Sequence, residues 1–310
     1  MVNINTTINP NTLWFGILCI LGALLIFIGI RRRLSTDAYS EGFSQDVPFI
    51  IKTDQEIYDD FYVELYDKIN QPEKQSQYII DRVVKMTAPS KDKSVFLDVG
   101  SGTGYLMNGL EESGYNVYGI DYSPSMINYA MNKYPHLTIK EGNVKIPMTY
   151  DRNTFSHILC TNMTIYHIQD KREFFRNCYY WLKPNGYLIL HLVDRDRFDP
   201  IVPGGKPPFI ESPQKYANTR ITDTVIDFLD FQYKASYLFG SENNIVYFKE
   251  TMTDGATNNV RCNELSLYME NYGDILYMAS RSGFIVHGQV NLTECVGDQY
   301  QYIFILERTL

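Results

Sequence analysis

The sequence is short of everything that would hold a metal or a covalent cross-link. Its five cysteines, at positions 19, 160, 178, 262 and 295, form no Cys-x-x-Cys pair, and its five histidines show no His-x-x-x-His spacing. Zinc ribbons, zinc fingers and disulfide frameworks are thereby excluded; free thiols, a reducing compartment and no bound metal are expected. Positive charge is scarce too: 28 Lys and Arg stand against 36 Asp and Glu, and three of the 28 are Arg31, Arg32 and Arg33. Beyond residue 34, 25 basic side chains face 36 acidic ones, a balance of −11. A surface of that sign repels phosphate backbones, so no nucleic-acid partner is expected.

Charge is also missing from residues 13–30, a run of Leu, Ile, Phe and Gly. As a helix these residues would cover about 27 Å, close to the hydrocarbon thickness of a bilayer. A cleaved signal peptide is the rival reading, but residues 2–12 carry no Lys or Arg, and the triple arginine stands where a small-residue cleavage site belongs. Gly16, Gly22 and Gly29 make no Gly-x-x-x-Gly, so helix dimerisation has no support. The expected organisation is a short extracytosolic tail over 1–12, a transmembrane helix over 13–30, a juxtamembrane linker over 31–54 and a globular domain over 55–310. Arg31 to Arg33 place that domain on the cytosolic side of a single-pass membrane protein.

In the domain, Ile57, Phe61, Leu65 and Ile69 recur every fourth residue and predict an amphipathic helix over 56–69; a second is predicted over 73–86. Short β-branched runs near 94–99, 116–120, 137–141, 156–161 and 186–193 then alternate with helical patterns near 104–114, 123–134 and 170–182. Ser123 as N-cap and Pro124 at the first helical position sign the middle helix. The alternation predicts an α/β fold with a doubly wound parallel sheet. Residues 195–224, with five prolines, read as a long loop. Strands near 230–238 and 245–252, a helix near 265–281 and strands near 284–290 and 300–307 complete the chain.

The first strand empties into Asp98-Val99-Gly100-Ser101-Gly102-Thr103-Gly104. Three glycines let the backbone turn sharply and let a ligand approach without a Cβ in the way. The dinucleotide fingerprint Gly-x-Gly-x-x-Gly would need glycine at position 105, which is Tyr105. Asp98 would also repel a pyrophosphate, whereas a ligand carrying a positive amino group explains it. The second strand ends at Asp121, where a carboxylate can accept from both ribose hydroxyls.

These segments resemble the class I S-adenosylmethionine-dependent methyltransferases of the small-molecule type. Asp98 to Gly104 is similar to that family's first motif, and Val117 to Met126 to its second. The segments Phe155 to Cys160 and Tyr166 to Asp170 resemble the fourth-strand region bordering the sulfonium, and Leu182 to Gly186 the turn into the fifth strand. The chain departs from the pattern at Asn143, where an acid is common, and at Asn185, where glycine is usual. The resemblance implies a Rossmann-like seven-stranded sheet and S-adenosyl-L-methionine as cofactor. It implies cofactor contacts from Asp98, Gly100, Ser101, Gly102, Gly104, Asp121, Tyr122, Met126, Asn143, Val144 and Thr161. Asn143 is expected to accept from the adenine amino group.

His167 and Tyr166 are the candidate catalytic residues touching the acceptor, His167 as base or as a structural neighbour of the cofactor. His157, in mid-strand, reads as a core histidine. Tyr58, Tyr62 and Tyr66 read as packing or as a cover over the cofactor. The expected acceptor is a small molecule, a lipid or a membrane-associated protein, with residues 195–252 as its cover. Thr161-Asn162-Met163-Thr164 lacks the Asn/Asp-Pro-Pro-aromatic segment of base-methylating enzymes. A catalytically idle cofactor-binding membrane scaffold and a nicotinamide-dependent oxidoreductase are the alternative readings.

Overall fold

The computed structural model describes residues 47–206, 212–240 and 244–310, together with positions 14, 19–23 and 25. The chain divides into two units, Met1–Asp46 and Val47–Leu310. Most of the apolar run 13–30 and the linker up to residue 46 lie outside the described residues. Among the described residues no helix is long and apolar enough to cross a membrane.

The second unit is built on two sheets. The larger contains β2 (Val95–Val99), β3 (Asn116–Asp121), β4 (Ile139–Glu141), β5 (Phe155–Cys160), β6 (Leu182–Val193), β11 (Phe284–Asn291) and β12 (Gln301–Arg308), in the order β11-β12-β6-β5-β2-β3-β4. Strands β2 to β6 pair in parallel, while β12 runs antiparallel to β6 and β11 antiparallel to β12. Seven strands were expected, all parallel; the mixed directions come from β12 alone, since β11, antiparallel to β12, runs the same way as β6. The chain leaves β2 for β3 on one side and later returns to β5 on the other, which makes the carboxyl end of β2 the switch point where α/β sheets bind ligands.

Both faces of this sheet are covered by helices, because its central strands are apolar on both sides. The helices are α1 (Asp60–Asn70), α2 (Pro72–Thr87), α3 (Tyr105–Glu112), α4 (Pro124–Lys133), α5 (Lys171–Trp181) and α6 (Tyr272–Arg281), followed by a short α7 (Thr293–Val296). One core cluster joins Phe96, Leu159, Ile189, Ile303 and Ile305 of the strands to Ile79, Ile80, Val83, Met107 and Leu110 of α2 and α3. Ser123 caps α4 as predicted, its hydroxyl accepting from the Met126 amide at 3.1 Å.

The smaller sheet departs from expectation. It contains β1 (Phe49–Thr53), β7 (Asp223–Asp227), β8 (Phe231–Phe239), β9 (Ile245–Asp254) and β10 (Val260–Tyr268), ordered β1-β10-β9-β8-β7. Strand β1 falls where a linker was expected, so the linker reading of 31–54 is corrected at 49–53. The helix predicted over 265–281 is the end of β10 followed by α6, capped by the Asn271 side chain on the Gly273 amide. The smaller sheet therefore reaches beyond the predicted segment 195–252, to residue 268, and includes β1. The helix predicted from Glu56 begins at Asp60 instead: Asp59 accepts from the Tyr62 amide at 3.1 Å, and Ile57 ends a preceding 3-10 turn, Asp54–Ile57.

Candidate functional site

The Gly100 amide donates to the Ile120 carbonyl at 2.8 Å, hooking the loop after β2 onto β3. Gly100 has φ +67°, and a Cβ there would come within 2.6 Å of Thr164 Cγ2, so the segment after β5 presses directly on this loop. The Asp121 carboxylate closes the arrangement: Oδ2 accepts from the Gly102 amide and Oδ1 from the Ser123 amide, each at 2.9 Å. Burial raises the pKa of Asp121, and those backbone bonds pull it back.

A cavity opens over these strand ends. The expected residues Gly100, Gly102, Asp121, Tyr122, Met126, Asn143, Val144 and His167 line it. Tyr58 and Tyr66 also line it, while Tyr62 turns away and donates to Glu250 at 2.7 Å. The rings of Tyr58 and Tyr122 meet edge to face at 6.1 Å, and Tyr58 stands 6.2 Å from His167. Asn143 Oδ1 already accepts from the Lys145 amide at 2.9 Å, so a donor from adenine would have to share that oxygen.

Five expected residues do not line the cavity. Gly104 caps α3 with φ +81°. Thr161 is buried, its carbonyl accepting from the Thr164 amide at 2.9 Å. The side chains of Asp98 and Ser101 lie buried just beneath the loop. Tyr166 differs most from expectation: it is wholly buried, and its hydroxyl accepts from the Val193 amide at 2.9 Å. It therefore ties the segment after β5 to β6 and does not reach an acceptor. Sequence reading missed Gln55, Lys145, Asn162 and Thr164 on the wall. Asn162 and Met163 both have positive φ, and a turn-forming Asn two residues after β5 is the one signal that marks that bend.

Two titrating groups define the chemistry. Asp98 is 3% exposed and its Oδ1 has no hydrogen-bond partner. Burial, with the Asp121 charge added, pushes its pKa up to about 8. His167 is half-buried, and burial lowers its pKa to about 4, so its ring is neutral in the physiological range. The cavity thus joins one lining acid, Asp121, with Asp98 buried beneath the loop behind it, to an aromatic wall and a neutral imidazole.

Residues 97–190 match the methyltransferase domain family. The ubiquinone biosynthesis O-methyltransferase of Coxiella burnetii is 31% identical over 106 residues, covering 32% of this chain and 44% of that protein. The chain spans less than half the length of the curated relatives it matches. A solved S-adenosylmethionine-dependent methyltransferase from Clostridium acetobutylicum has a TM-score of 0.58 at 18% identity, covering 80% of this chain and 98% of that one. The CcbJ methyltransferase from Streptomyces caelestis has a TM-score of 0.62 at 14% identity, covering 82% and 98%. At these identities the solved structures establish the fold alone.

S-adenosylmethionine is the cofactor that the domain match and the similar solved methyltransferases together support, and the residues fit it. The unpaired oxygen of Asp98 suits an ammonium group near the loop. Asp121 keeps a second lone pair on each oxygen for ribose hydroxyls. Met126, Ile120 and Val144 supply an apolar slot for a purine.

Proposed function

We propose that this chain is an S-adenosylmethionine-dependent methyltransferase whose acceptor is a small, largely apolar molecule bearing a hydroxyl or amine. The observation that carries this reading is the pair of acids on adjacent strand ends, with the Asp98 Oδ1 buried and unpaired beneath a loop of three positive-φ glycines. When bound, S-adenosylmethionine supplies a sulfonium methyl for in-line transfer to a nucleophile. The protein's task is then positioning and exclusion of water. Tyr58, Tyr66 and Tyr122 shield the cavity, and their π faces favour a neighbouring cationic centre. His167, neutral and without a hydrogen bond to any described residue, can accept from the acceptor's hydroxyl or amine and orient its lone pair.

An apolar acceptor is supported by the wall beside His167, formed by Tyr58, Ile168 and Thr164, where Lys145 and Asp121 are the charged lining residues of the cavity. It also agrees with the Coxiella relative, whose name places it in ubiquinone biosynthesis as an O-methyltransferase. The apolar run 13–30 with Arg31 to Arg33 supports a single-pass anchor holding the domain at a cytosolic membrane face, near lipid-like acceptors or membrane-associated proteins. Incubating the full chain with methyl-labelled cofactor and a membrane lipid extract should label an extractable small molecule. Label confined to protein would reject the small-molecule acceptor, and no label with intact cofactor binding would favour the scaffold reading. Resistance to alkaline extraction from membranes checks the anchor.

A further inference from the structure

The smaller sheet grips the segment around Tyr58. Arg261, on β10, is 5% exposed and spreads three hydrogen bonds: Nη1 donates to Asp59 Oδ2 at 2.9 Å, Nη2 to the Ile57 carbonyl at 3.0 Å and Nε to Asn263 Oδ1 at 3.0 Å. The first two partners are the residues on either side of Tyr58, whose ring lines the cavity. On the opposite side the Tyr58 carbonyl accepts from Ser123 Oγ at 2.6 Å, two residues beyond Asp121. The backbone around Tyr58 is therefore held between the cofactor strand ends and the smaller sheet.

Behind Arg261 stands a satisfied buried network. Asn263 Nδ2 donates to Glu250 Oε2 at 3.0 Å, and Glu250 Oε1 accepts from the hydroxyls of Tyr62 at 2.7 Å and Tyr233 at 2.6 Å. Glu250 is 2% exposed and Asn263 fully buried. Such a network fixes the fork of the guanidinium, because moving one member leaves others unpaired at low dielectric. Nothing in it touches the cavity except through Tyr58 and α1.

We propose that Arg261 is a positioning residue: by holding the Ile57 carbonyl and the Asp59 carboxylate it sets Tyr58 against the cavity, and so makes cofactor affinity depend on the smaller sheet. This rests on the methyltransferase reading for the identity of the ligand, while the grip itself does not.

The test is a double-mutant cycle on the full chain, with S-adenosylmethionine affinity measured by calorimetry for Arg261→Gln, Tyr58→Ala and the pair. Each single change should weaken binding about tenfold, and the pair should be no weaker than either alone, since the second change removes an effect already lost. A purely structural role would give additive losses near a hundredfold, which would overturn the proposal, as would unchanged affinity in Arg261→Gln. Should Arg261→Gln not fold, Asp59→Asn replaces it in the cycle: the amide oxygen keeps the cap on Tyr62 while the charge facing Arg261 is lost, and a loss of about threefold that vanishes in Tyr58→Ala is expected. In the ligand-free protein, amides 59–63 should exchange at least tenfold faster in the variant than in the wild type, with those of β2 unchanged. Unchanged exchange overturns the grip whatever binds. A wild type that grips normally yet does not bind S-adenosylmethionine overturns the functional reading and the cofactor part of this proposal.

Discussion

Asp121 and Gly102, nineteen positions apart in sequence, hold each other across the strand ends: the Asp121 Oδ2 accepts from the Gly102 amide at 2.9 Å. The same carboxylate accepts from the Ser123 amide on its other oxygen. One side chain thus sets the glycine loop and the start of α4 together, before any ligand arrives.

Asp121→Asn should expose that double duty. An amide has one oxygen, so its nitrogen must face either the Gly102 or the Ser123 N–H, donor against donor. Leaving a buried donor unmatched costs about 1 to 3 kcal/mol. S-adenosylmethionine affinity should fall roughly ten- to a hundredfold by that measure, as read by calorimetry. An unaltered dissociation constant would remove Asp121 from the ribose position.

Asp98 makes a separate prediction about protons. Its pKa in the folded protein is raised from 3.8 to about 8 by burial and by Asp121. Between those values the folded state holds a proton that the unfolded chain has released. The contribution of this group is therefore fully present below the lower value and is lost as pH rises through the upper one, at most about 1.4 kcal/mol per unit. A bound ammonium favours the carboxylate, so cofactor binding near neutral pH should release a proton. Binding enthalpy measured in two buffers of different ionisation heat should differ by that proton, and Asp98→Asn should abolish the difference.

On the acid side His157 and His191 act in the opposite sense. Burial lowers both pKa values to about 4. Their contribution is present above the ordinary histidine value of 6.5 and is lost as pH falls towards 4. His157 stacks on Phe96 at 4.4 Å and meets Thr87 Oγ1 at 3.0 Å, so Gln can retain the polar contact without the charge. Urea midpoints recorded from pH 7 to 4.5 should fall less steeply for His157→Gln than for the wild type. Parallel curves would mean that other groups govern acid unfolding.

The parts of this architecture that could be read from sequence are those whose causes are local. The loop after β2 announces itself because the backbone there needs positive φ at Gly100, Gly102 and Gly104. Asn185 likewise takes the left-handed conformation that its departure from glycine suggested, at φ +59°. Of the smaller sheet, β8 and β9 match the strands predicted near 230–238 and 245–252, while β1 and β10 stayed hidden because polar residues take inward positions and apolar ones outward positions. In β10 the inward positions include Arg261 and Asn263, whose burial makes sense only once Asp59 and Glu250 are beside them. In β1 the outward positions are Phe49 and Ile51, 55% and 53% exposed. Neighbours in a turn were equally opaque: Tyr166 and His167 share one 3-10 turn, yet the first faces β6 and the second the cavity. The long loop is also tied to α1. Gly204 sits where a Cβ would meet the Lys68 carbonyl at 2.6 Å, so removing residues 203–213 would disturb α1 as well as any cover.

Gly100→Ala tests whether the loop and the segment after β5 act as one unit. The substitution carries two costs that can be separated. A left-handed alanine costs about 1 kcal/mol wherever it sits. The new methyl would also lie 2.6 Å from Thr164 Cγ2, so Thr164 must move, and Thr164 lines the cavity. The variant should melt a few degrees lower, as about 1 to 2 kcal/mol implies for a domain of this size, and should bind S-adenosylmethionine more weakly. Adding Thr164→Ser removes Cγ2 and relieves the second cost alone. The double variant should therefore regain most of the affinity while its melting point recovers only in part. Affinity that stays low in the double variant would show that the loop conformation itself, and not the pressure of Thr164 upon it, sets the cofactor site.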